Sequence, residues 1–444
     1  MLRGLGWAIL LLLLAWTSPA PGQEAPVLTL EDALAAALQA NRPLRESELE
    51  VHRHEDLLAA ARARRFPALQ IGARQQQLLR PIEFKVEGGA LGTYPSIGAI
   101  PPVDTTVASI RGQSTYVTAG LSQPLTGLHK IGLAVEVQAA ELKVAQQSAR
   151  GRRQALAAQV RQAYYSVLEA QDAVQAAGDT LALYVELERV ADQQLALQAV
   201  LKADLLEVRA RRKAAEAEAL VRANELATYK ERLNLLLGRE LSTDFRVAAQ
   251  PVAEASFEDL PGLQARALAN RPDVHQAALR LEQARVQREI QRAEYLPEVD
   301  LNLTYFRQVD SGLLPGETIL AELAASWEPF DWGRRDREIA EKDHAVEQAE
   351  SAFEEARQQI QAEVAERLRK VREARALEEA ARAARDAAEE RHRVAVKRFE
   401  QKSALLKDVL EAQAQLSAAR RDFQRATVTT LAALAELARA VGED

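Results

Sequence analysis

The residues that could do chemistry in this sequence are few and far apart. His52 and His54 are two of only six histidines, and side chains two positions apart point to different sides of a helix, so they do not form a metal-binding pair. The sequence has no cysteine, no glycine-rich phosphate loop, no nucleophile elbow and no His-Glu metal motif. We therefore predict no enzymatic activity, no catalytic residue, no metal site and no cofactor.

Two acidic pairs deserve comparison because the chain repeats the segment that contains them. The segment LKADLLE contains Asp204 and Glu207, and the segment LLKDVLE, 204 positions later, contains Asp408 and Glu411. A carboxylate at such a place can cap the start of a helix, lie on a solvated face, or add negative charge to a binding surface. The pattern alone is compatible with each of these roles.

The composition excludes several classes of protein. The 444-residue chain is 48% hydrophobic but only 5% aromatic, so it cannot fill several bulky cores, and one elongated architecture is favoured. Its net charge of -7 offers no basic surface for a phosphate backbone, and we expect no binding to nucleic acid. The lack of cysteine also excludes a lipid-modified N-terminal cysteine.

Residues 1–25 have the pattern of a secretory signal peptide. Arg3 supplies a positive charge, an apolar stretch runs from Leu5 to Trp16, and small or turn-forming residues follow around Ala20. The apolar stretch is too short to cross a bilayer as a helix, and no later stretch approaches the roughly 20 apolar residues that crossing requires. We predict that the protein is exported and that none of its helices spans a membrane.

The rest of the sequence contains an internal repeat, with each element of the first half recurring in the second. The tripeptide NRP at 41–43 returns at 270–272, and Gly238 returns as Gly442. Four prolines mark the predicted junctions between helices and strands: Pro67, Pro124, Pro297 and Pro329. We therefore predict a first repeat at 26–240, a linker or equatorial segment at 241–257 and a second repeat at 258–442.

Each repeat reads helix, strand, loop, strand, long helix and returning helix. The hydrophobic period changes from near 3.6 to two after Pro67 and after Pro297, which predicts β-hairpins at about 68–123 and about 298–328. The helical pattern then resumes for about 70 residues, enough for a helix about 100 Å long. We predict a mostly α-helical chain with a small β part of four strands and an internal two-fold structural repeat.

The first hairpin is predicted to be the longer one. It exceeds the second by about 25 residues, and a Gly- and Pro-rich stretch from Pro81 to Gly112 predicts that the excess is a long exposed loop. Each strand would then have roughly 10 residues, the length that a tilted strand needs to cross a bilayer.

Strands that face lipid cannot leave their edges unpaired, because hydrocarbon offers no partners for bare backbone groups. Four strands are too few for a closed barrel, since membrane barrels start at about eight, so several chains must contribute to one barrel. Aromatic residues near strand ends are typical of a membrane interface, and here they are Tyr305, Phe306, Trp327, Phe330 and Trp332. Phe330 and Trp332 could equally fill the junction between strand and helix.

Taken together, these features resemble the TolC family of outer-membrane efflux proteins. The resemblance is carried by the NRP element before a helix that ends in Leu-Pro, by the Pro-Leu and Pro-Phe-Asp-Trp-Gly strand exits, and by the Asp-Val-Leu-Glu-Ala turn segment. It covers nearly the whole mature chain. It implies a homotrimer in which three chains form one twelve-stranded outer-membrane β-barrel, continued by a long α-helical barrel in the periplasm.

The resemblance also implies a function and partners. Members of the family are passive exit ducts of multi-component efflux or type I secretion systems, contact outer-membrane lipid, and dock onto a periplasmic adaptor protein and an inner-membrane transporter. An alternative that the sequence leaves open is a periplasmic coiled-coil adaptor or scaffold without a channel. Such a protein would have no need of four amphipathic strands at repeat-related positions.

The family pattern places the periplasmic tip at the turns before Asp204 and Asp408, where adaptors dock and the duct narrows. Threefold symmetry would turn any of these acidic residues that faces the lumen into a ring of negative charge, which favours cations. The sequence departs from the family here. Members commonly have a glycine six residues before the aspartate, and this chain has Gln198 and Lys402.

Overall fold

The computed structural model describes residues 26–198, 201–249, 259–309, 316–401 and 403–443. The predicted signal peptide, residues 1–25, and Lys402 lie outside the described residues. The helices are α1 (Leu30–Ala40), α2 (Arg42–Ala63), α3 (Gly127–Ala196), α4 (Lys202–Leu236), α5 (Leu260–Asn270), α6 (Pro272–Arg292), α7 (Arg334–Glu400) and α8 (Leu406–Val441). The strands are β1 (Val27–Leu28), β2 (Ala68–Val86), β3 (Thr93–Tyr94), β4 (Gly98–Ala99), β5 (Thr105–Pro124), β6 (Arg246–Val247), β7 (Glu298–Val309) and β8 (Glu317–Ser326).

The predicted fold class is confirmed: the chain is mostly helical, with one four-stranded sheet. The two predicted long helices are α3, with 70 residues, and α7, with 67. Each is followed by a returning helix, α4 or α8, of about half that length. The same order of elements therefore occurs in both halves of the sequence.

Local signals explain where the first helices start and stop. The hydroxyl of Thr29 accepts a hydrogen bond from the backbone N–H of Asp32 at 3.1 Å and donates to its carboxylate at 2.7 Å, so Thr29 caps α1. Pro43 has no N–H and restricts the residue before it, and α1 ends just upstream, at Ala40. In the second half α5 ends at Asn270 and α6 begins at Pro272.

The chain folds into two compact units, each of which draws on both halves of the sequence. Unit 1 contains α1, α4, β1, β6, α3 from Ala157, α7 from Glu373 and α8 up to Ala433. Unit 2 contains α2, α5, α6, the four-stranded sheet and the remaining parts of α3, α7 and α8.

The repeated glycine ends the returning helix in both halves. Gly238 has φ +66° and Gly442 has φ +82°, a left-handed conformation that L side chains rarely adopt. Each also packs against the end of a short helix. A Cβ on Gly238 would lie 3.0 Å from Ala40, and one on Gly442 would lie 2.9 Å from Asn270. Backbone conformation and close packing therefore both require glycine at these two places.

Unit 1 contains a small parallel pair, β1 with β6. The hydroxyl of Tyr164 lies within hydrogen-bond distance of two carbonyl oxygens beside this pair, at 3.1 Å from Leu28 and 2.9 Å from Ala248. The amide of Gln171 bonds both backbone groups of Val247, accepting at 2.8 Å and donating at 3.3 Å. Long helix α3 thus supplies side chains that hold two extended segments far apart in sequence.

The four-stranded sheet in unit 2 has the order β2-β5-β7-β8, and all its pairs are antiparallel. The two hairpins are joined through β5 and β7, so β2 and β8 are the edge strands. Among the residues that the structure describes, the outer edges of β2 and β8 have no strand partner.

The predicted loop from Pro81 to Gly112 is wrong at both ends, because β2 continues to Val86 and β5 begins at Thr105. Pro81 is accommodated at an irregularity between Leu78 and Ile82, where the pairing with β5 shifts. A proline cannot donate to a ladder, and a bulge removes the need for that donor. The strands therefore have 19 and 20 residues instead of roughly 10.

Candidate functional site

The turns from α3 to α4 and from α7 to α8 contain the acidic pairs singled out from the sequence. The carboxylate of Asp204 accepts a hydrogen bond from the N–H of Leu201 at 3.0 Å, and that of Asp408 accepts one from Leu405 at 2.9 Å. Each aspartate lies in the first turn of its helix, where negative charge is favourable and backbone donors lack intrahelical partners. Both aspartates therefore cap the start of a returning helix.

Gln198 follows α3 with φ +57°. Its N–H bonds the carbonyl of Leu195 at 2.9 Å, which is the kind of closure that a left-handed residue makes at a helix end. A glycine would adopt this conformation without steric cost. The departure from the family pattern at this place therefore leaves the backbone in the conformation that glycine favours, with an exposed glutamine side chain added.

Glu207 and Glu411 lie one turn further along the returning helices and are exposed, at 59% and 58% of the side chain. Glu207 pairs with Arg211 at 2.7 Å, and Glu411 lies 3.8 Å from Lys407. Exposed pairs of this kind contribute little to stability. Their carboxylates are therefore accessible beside the two turns, as are those of Asp204 and Asp408, which are also exposed.

A charge cluster between α3 and α4, which sequence reasoning missed, lies near the first turn. Glu188 is only 18% exposed and pairs with Arg209 at 2.9 Å and with Arg212 at 2.6 Å. Asp192 lies 3.1 Å from Arg209. The sequence shows acidic residues near the end of α3 and basic residues near the start of α4. Which of them form pairs depends on the register of the two helices.

Residues paired across the four strands share a face of the sheet, so the register defines two surfaces. One surface is apolar, with the rows Leu69, Leu121, Leu303, Ala321 and Ile71, Ala119, Tyr305, Ile319. The alternate rows are mainly polar and include Arg74, Tyr116, Thr118, Ser122, Asn302, Gln308 and Glu322. Apolar side chains on the first surface are largely exposed, with Ile71 at 76% and Ile319 at 72%.

The four junction prolines lie at the ends of the strands. Pro67 and Pro297 directly precede β2 and β7, Pro124 is the last residue of β5, and Pro329 lies between β8 and α7. Proline disfavours helical conformation in the residue before it. At Pro67 and Pro297 this restriction accounts for the change from helix to strand.

The predicted interface aromatics do not all lie on one surface. Tyr305 lies in an apolar row, whereas Phe306 lies in a mainly polar row and packs against Tyr116 with ring centroids 5.4 Å apart. Consecutive residues of a strand point to opposite faces, so Tyr305 and Phe306 lie on opposite surfaces of the sheet. The ring of Phe306 therefore lies on the mainly polar surface and that of Tyr305 on the apolar one.

Trp327, Phe330 and Trp332 lie beyond the end of β8 and are exposed at 62%, 67% and 89%. The rings of Phe330 and Trp332 contact each other edge to face at 4.9 Å. Trp332 has φ +61° and is followed by Gly333 at φ +81°. Two successive left-handed residues turn the chain sharply and leave the indole ring of Trp332 exposed.

An ionic network lies at this turn. Arg335, whose side chain is 7% exposed, donates to the carbonyl of Glu328 at 2.6 Å and pairs with its carboxylate at 2.7 Å. Asp331 accepts hydrogen bonds from the N–H groups of Gly333 and Arg335, both at 3.1 Å. Desolvation alone would raise the pKa of Asp331, but these hydrogen bonds and the nearby guanidinium groups outweigh it and lower the pKa.

The described residues lack two features that would point to other classes of protein. No cluster of histidine, aspartate and glutamate able to hold a metal ion occurs among them. Among the residues that the structure describes, no helix is both long enough and apolar enough to cross a membrane.

A sheet with one exposed apolar surface, attached to pairs of very long helices, is the architecture of outer-membrane efflux channels. The family model described as outer membrane efflux protein matches residues 33–239 and 263–443. The chain belongs to the outer membrane efflux protein family. The location predicted from the sequence, the outer membrane with a large periplasmic portion, is thereby confirmed.

Solved structures share the fold over almost the whole chain. A membrane protein from Pseudomonas aeruginosa is 23% identical with a TM-score of 0.76, covering 94% of this chain and 91% of that one. The structure of CusC is 18% identical with a TM-score of 0.77 and covers 96% of both chains. The open state of the MtrE outer membrane channel of Neisseria gonorrhoeae is 19% identical with a TM-score of 0.74, covering 93% and 89%. A comparison with curated proteins found no match.

Proposed function

We propose that this protein is the exit duct of a multi-component efflux or type I secretion system. In this proposal residues 1–25 direct export and are removed, and the two repeats, 26–240 and 258–442, form a passive conduit. The duct docks onto a periplasmic adaptor protein and, through it, onto an inner-membrane transporter. Membership of the outer membrane efflux protein family supports an efflux channel, and the identity of the partners is part of the proposal.

The observation that carries the proposal is the two-faced sheet. Ten residues of strand at about 3.3 Å each, tilted by about 40°, span about 25 Å, which is the height of the apolar band of an outer-membrane barrel. Strands β7 and β8 have 12 and 10 residues, and the parts of β2 and β5 that belong to the four-stranded region are of similar length. The apolar surface would face lipid and the polar surface would face water in the duct.

The free edges of β2 and β8 support a homotrimer. An unpaired edge inside a membrane leaves backbone groups without partners, at a cost of several kcal/mol per group. Pairing β8 of one copy with β2 of the next removes both edges, and three copies close twelve strands into a barrel. The alternative considered from the sequence is a periplasmic adaptor or scaffold. In such a protein the same apolar surface would be exposed to water and would have no function.

We assign different roles to the acidic residues of the proposed periplasmic tip. Asp204 and Asp408 fix the starts of the returning helices through their capping bonds. Glu207 and Glu411 are exposed, and their ion pairs with Arg211 and Lys407 leave them accessible to an adaptor or to the duct. In a trimer each would occur three times, and a lumen-facing set would favour cations.

The experiment that tests the proposal starts from the mature protein in outer membranes. We expect the protein to resist extraction by salt and osmotic shock and to be released by detergent. The released protein should be a trimer in native mass measurements and should conduct ions in planar bilayers. A water-soluble monomer would overturn the proposal. Glu207→Gln and Glu411→Gln together should reduce cation preference, with Glu48→Gln, an exposed carboxylate on α2 in unit 2, as the matched control.

A further inference from the structure

The first hairpin continues well beyond the four-stranded sheet. Pairing between β5 and β7 ends at Thr115 with Val309, whereas β2 and β5 remain paired with each other up to Val86 with Thr105. Residues 79–111, which include β3 and β4, thus form a two-stranded extension that we call the distal ribbon. The first hairpin owes its extra length to this ribbon.

The distal ribbon has a hydrogen-bonded structure of its own up to its end. The N–H of Gly89 donates to the carbonyl of Pro101 at 2.8 Å, and the N–H of Leu91 donates to that of Ile100 at 2.9 Å. The carboxylate of Asp104 accepts from the N–H of Gly88 at 2.9 Å. The ribbon can therefore present a defined surface to a partner.

The paired part of the ribbon has two different faces. Ile82 and Phe84 lie two positions apart on β2 and share one face, on which they are 48% and 51% exposed. Glu83 and Lys85 share the other face and lie 3.3 Å apart as an ion pair. An amphipathic ribbon of this kind requires something to cover its apolar face.

More apolar side chains are exposed near the end of the ribbon. They are Leu91, Ile97, Val103 and Val107, each exposed by about two thirds. Four large apolar side chains exposed within so short a segment are more typical of an interaction site than of a surface that stays in water.

Acyl chains are not the occupant that the geometry favours. The four-stranded region is already long enough to cross the hydrocarbon layer, so a ribbon that continues the same strands projects beyond that layer into water. The ribbon extends from β2, which is the edge strand where the proposed barrel meets its next copy. Copies of the ribbon are therefore the apolar partners brought nearest by assembly.

We propose that the distal ribbons of three copies pack on one another through the face that contains Ile82 and Phe84, and that they narrow the outer mouth of the duct. The inference rests on the proposed trimeric barrel. The ring of apolar side chains formed in this way opposes the passage of ions and water, because a hydrophobic constriction is costly to hydrate. Export would require these contacts to part at the outer surface.

The absence of cysteine from the sequence allows a clean crosslinking experiment on the full chain. Phe84→Cys is compared with Lys85→Cys, its neighbour on the charged face, using a short thiol-specific bifunctional reagent on purified protein whose oligomeric state is measured in parallel. We expect crosslinked species for Phe84→Cys and none above background for Lys85→Cys. A trimer that shows equal crosslinking of the two variants, or none of either, would overturn the ribbon contact while leaving the duct intact.

A conductance measurement provides a second test. Ile82→Asp combined with Phe84→Asp places like charges on the facing surfaces, and single-channel conductance in planar bilayers should rise by about twofold or more if the ribbons form the narrowest outer constriction. Glu83→Gln is the matched control and should leave conductance unchanged. An intact trimer with wild-type conductance in the double variant would refute the inference, and failure of the wild-type chain to form a trimer would refute the proposed duct and the ribbon contact together.

Discussion

Replacement of Leu303 by arginine tests the assignment of the apolar surface most directly. Leu303 lies in the middle of β7, opposite Leu121 and Ala321, and is 44% exposed. In the proposed barrel this position faces the midplane of the bilayer, where an arginine on the lipid face costs about 2–4 kcal/mol. Each barrel would contain three such charges, so the cost per trimer would be about 6–12 kcal/mol on the same scale.

The neighbouring residue supplies the control. Asn302 lies one position away on the polar surface, opposite Ser122 and Glu322, where an arginine would meet water and a carboxylate. Asn302→Arg changes charge and volume in the same strand without exposing the charge to lipid. We expect it to assemble like the wild type.

The assay is the fraction of protein recovered as trimer in outer-membrane extracts at matched expression. A cost of about 2 kcal/mol per chain corresponds to a roughly thirtyfold shift in an equilibrium, so Leu303→Arg should fall far below Asn302→Arg. Equal recovery of the two variants would show that Leu303 does not face lipid. Loss of trimer in Asn302→Arg alone would mean that the two surfaces have been assigned the wrong way round.

Three further predictions concern the turns. Gln198→Gly should stabilise the chain by about 1 kcal/mol, because it removes the steric cost of a left-handed glutamine. The control Gln193→Gly, on helix α3, should destabilise the chain by about 1 kcal/mol. Thermal unfolding compares the two variants, and an unfolding midpoint of Gln198→Gly below that of the wild type would contradict the argument. Asp408→Ala should cost about 1 kcal/mol through loss of the cap and speed proteolysis at the turn, while exposed Glu411→Ala should change cleavage little; equal rates would mean that the cap contributes nothing. The pKa of Asp331 is lowered from 3.8, so its ionised form stabilises the fold above that pH and the contribution is lost as the pH falls through the folded value. Asp331→Asn should therefore reduce the loss of stability on acidification, followed by tryptophan fluorescence, and an acid transition identical to that of the wild type would exclude a contribution from Asp331.

Most of the fold follows from patterns that act over short distances. The alternation in residues 299–305 predicts a strand because period two separates two faces, and the register places those residues as predicted. The long helices and their interruption near Pro43 follow from helical periodicity and proline chemistry in the same way. The repeat supplied a second copy of each signal.

The features that sequence reasoning missed depend on partners distant in the chain. Pro81 is a sound signal for a loop, but the opposite strand tolerates it through a shift of register. The ion pair between Glu188 and Arg212 depends on how α3 and α4 are aligned. The sequence pattern groups Tyr305 and Phe306 because both are aromatic and near a strand end. They are consecutive residues of one strand, however, so their side chains lie on opposite surfaces.

The hydrogen bonds that Tyr164 and Gln171 make beside the β1–β6 pair can form only late in biogenesis. Segment β1 is synthesised and exported early, yet its partner β6 begins only at Arg246. More than 200 residues must therefore emerge on the far side of the inner membrane before Val27 can find its place. During that interval β1 has no strand partner, and a mutation of Tyr164, whose hydroxyl bonds the carbonyls of Leu28 and Ala248, should lengthen the time for which a protease can reach it.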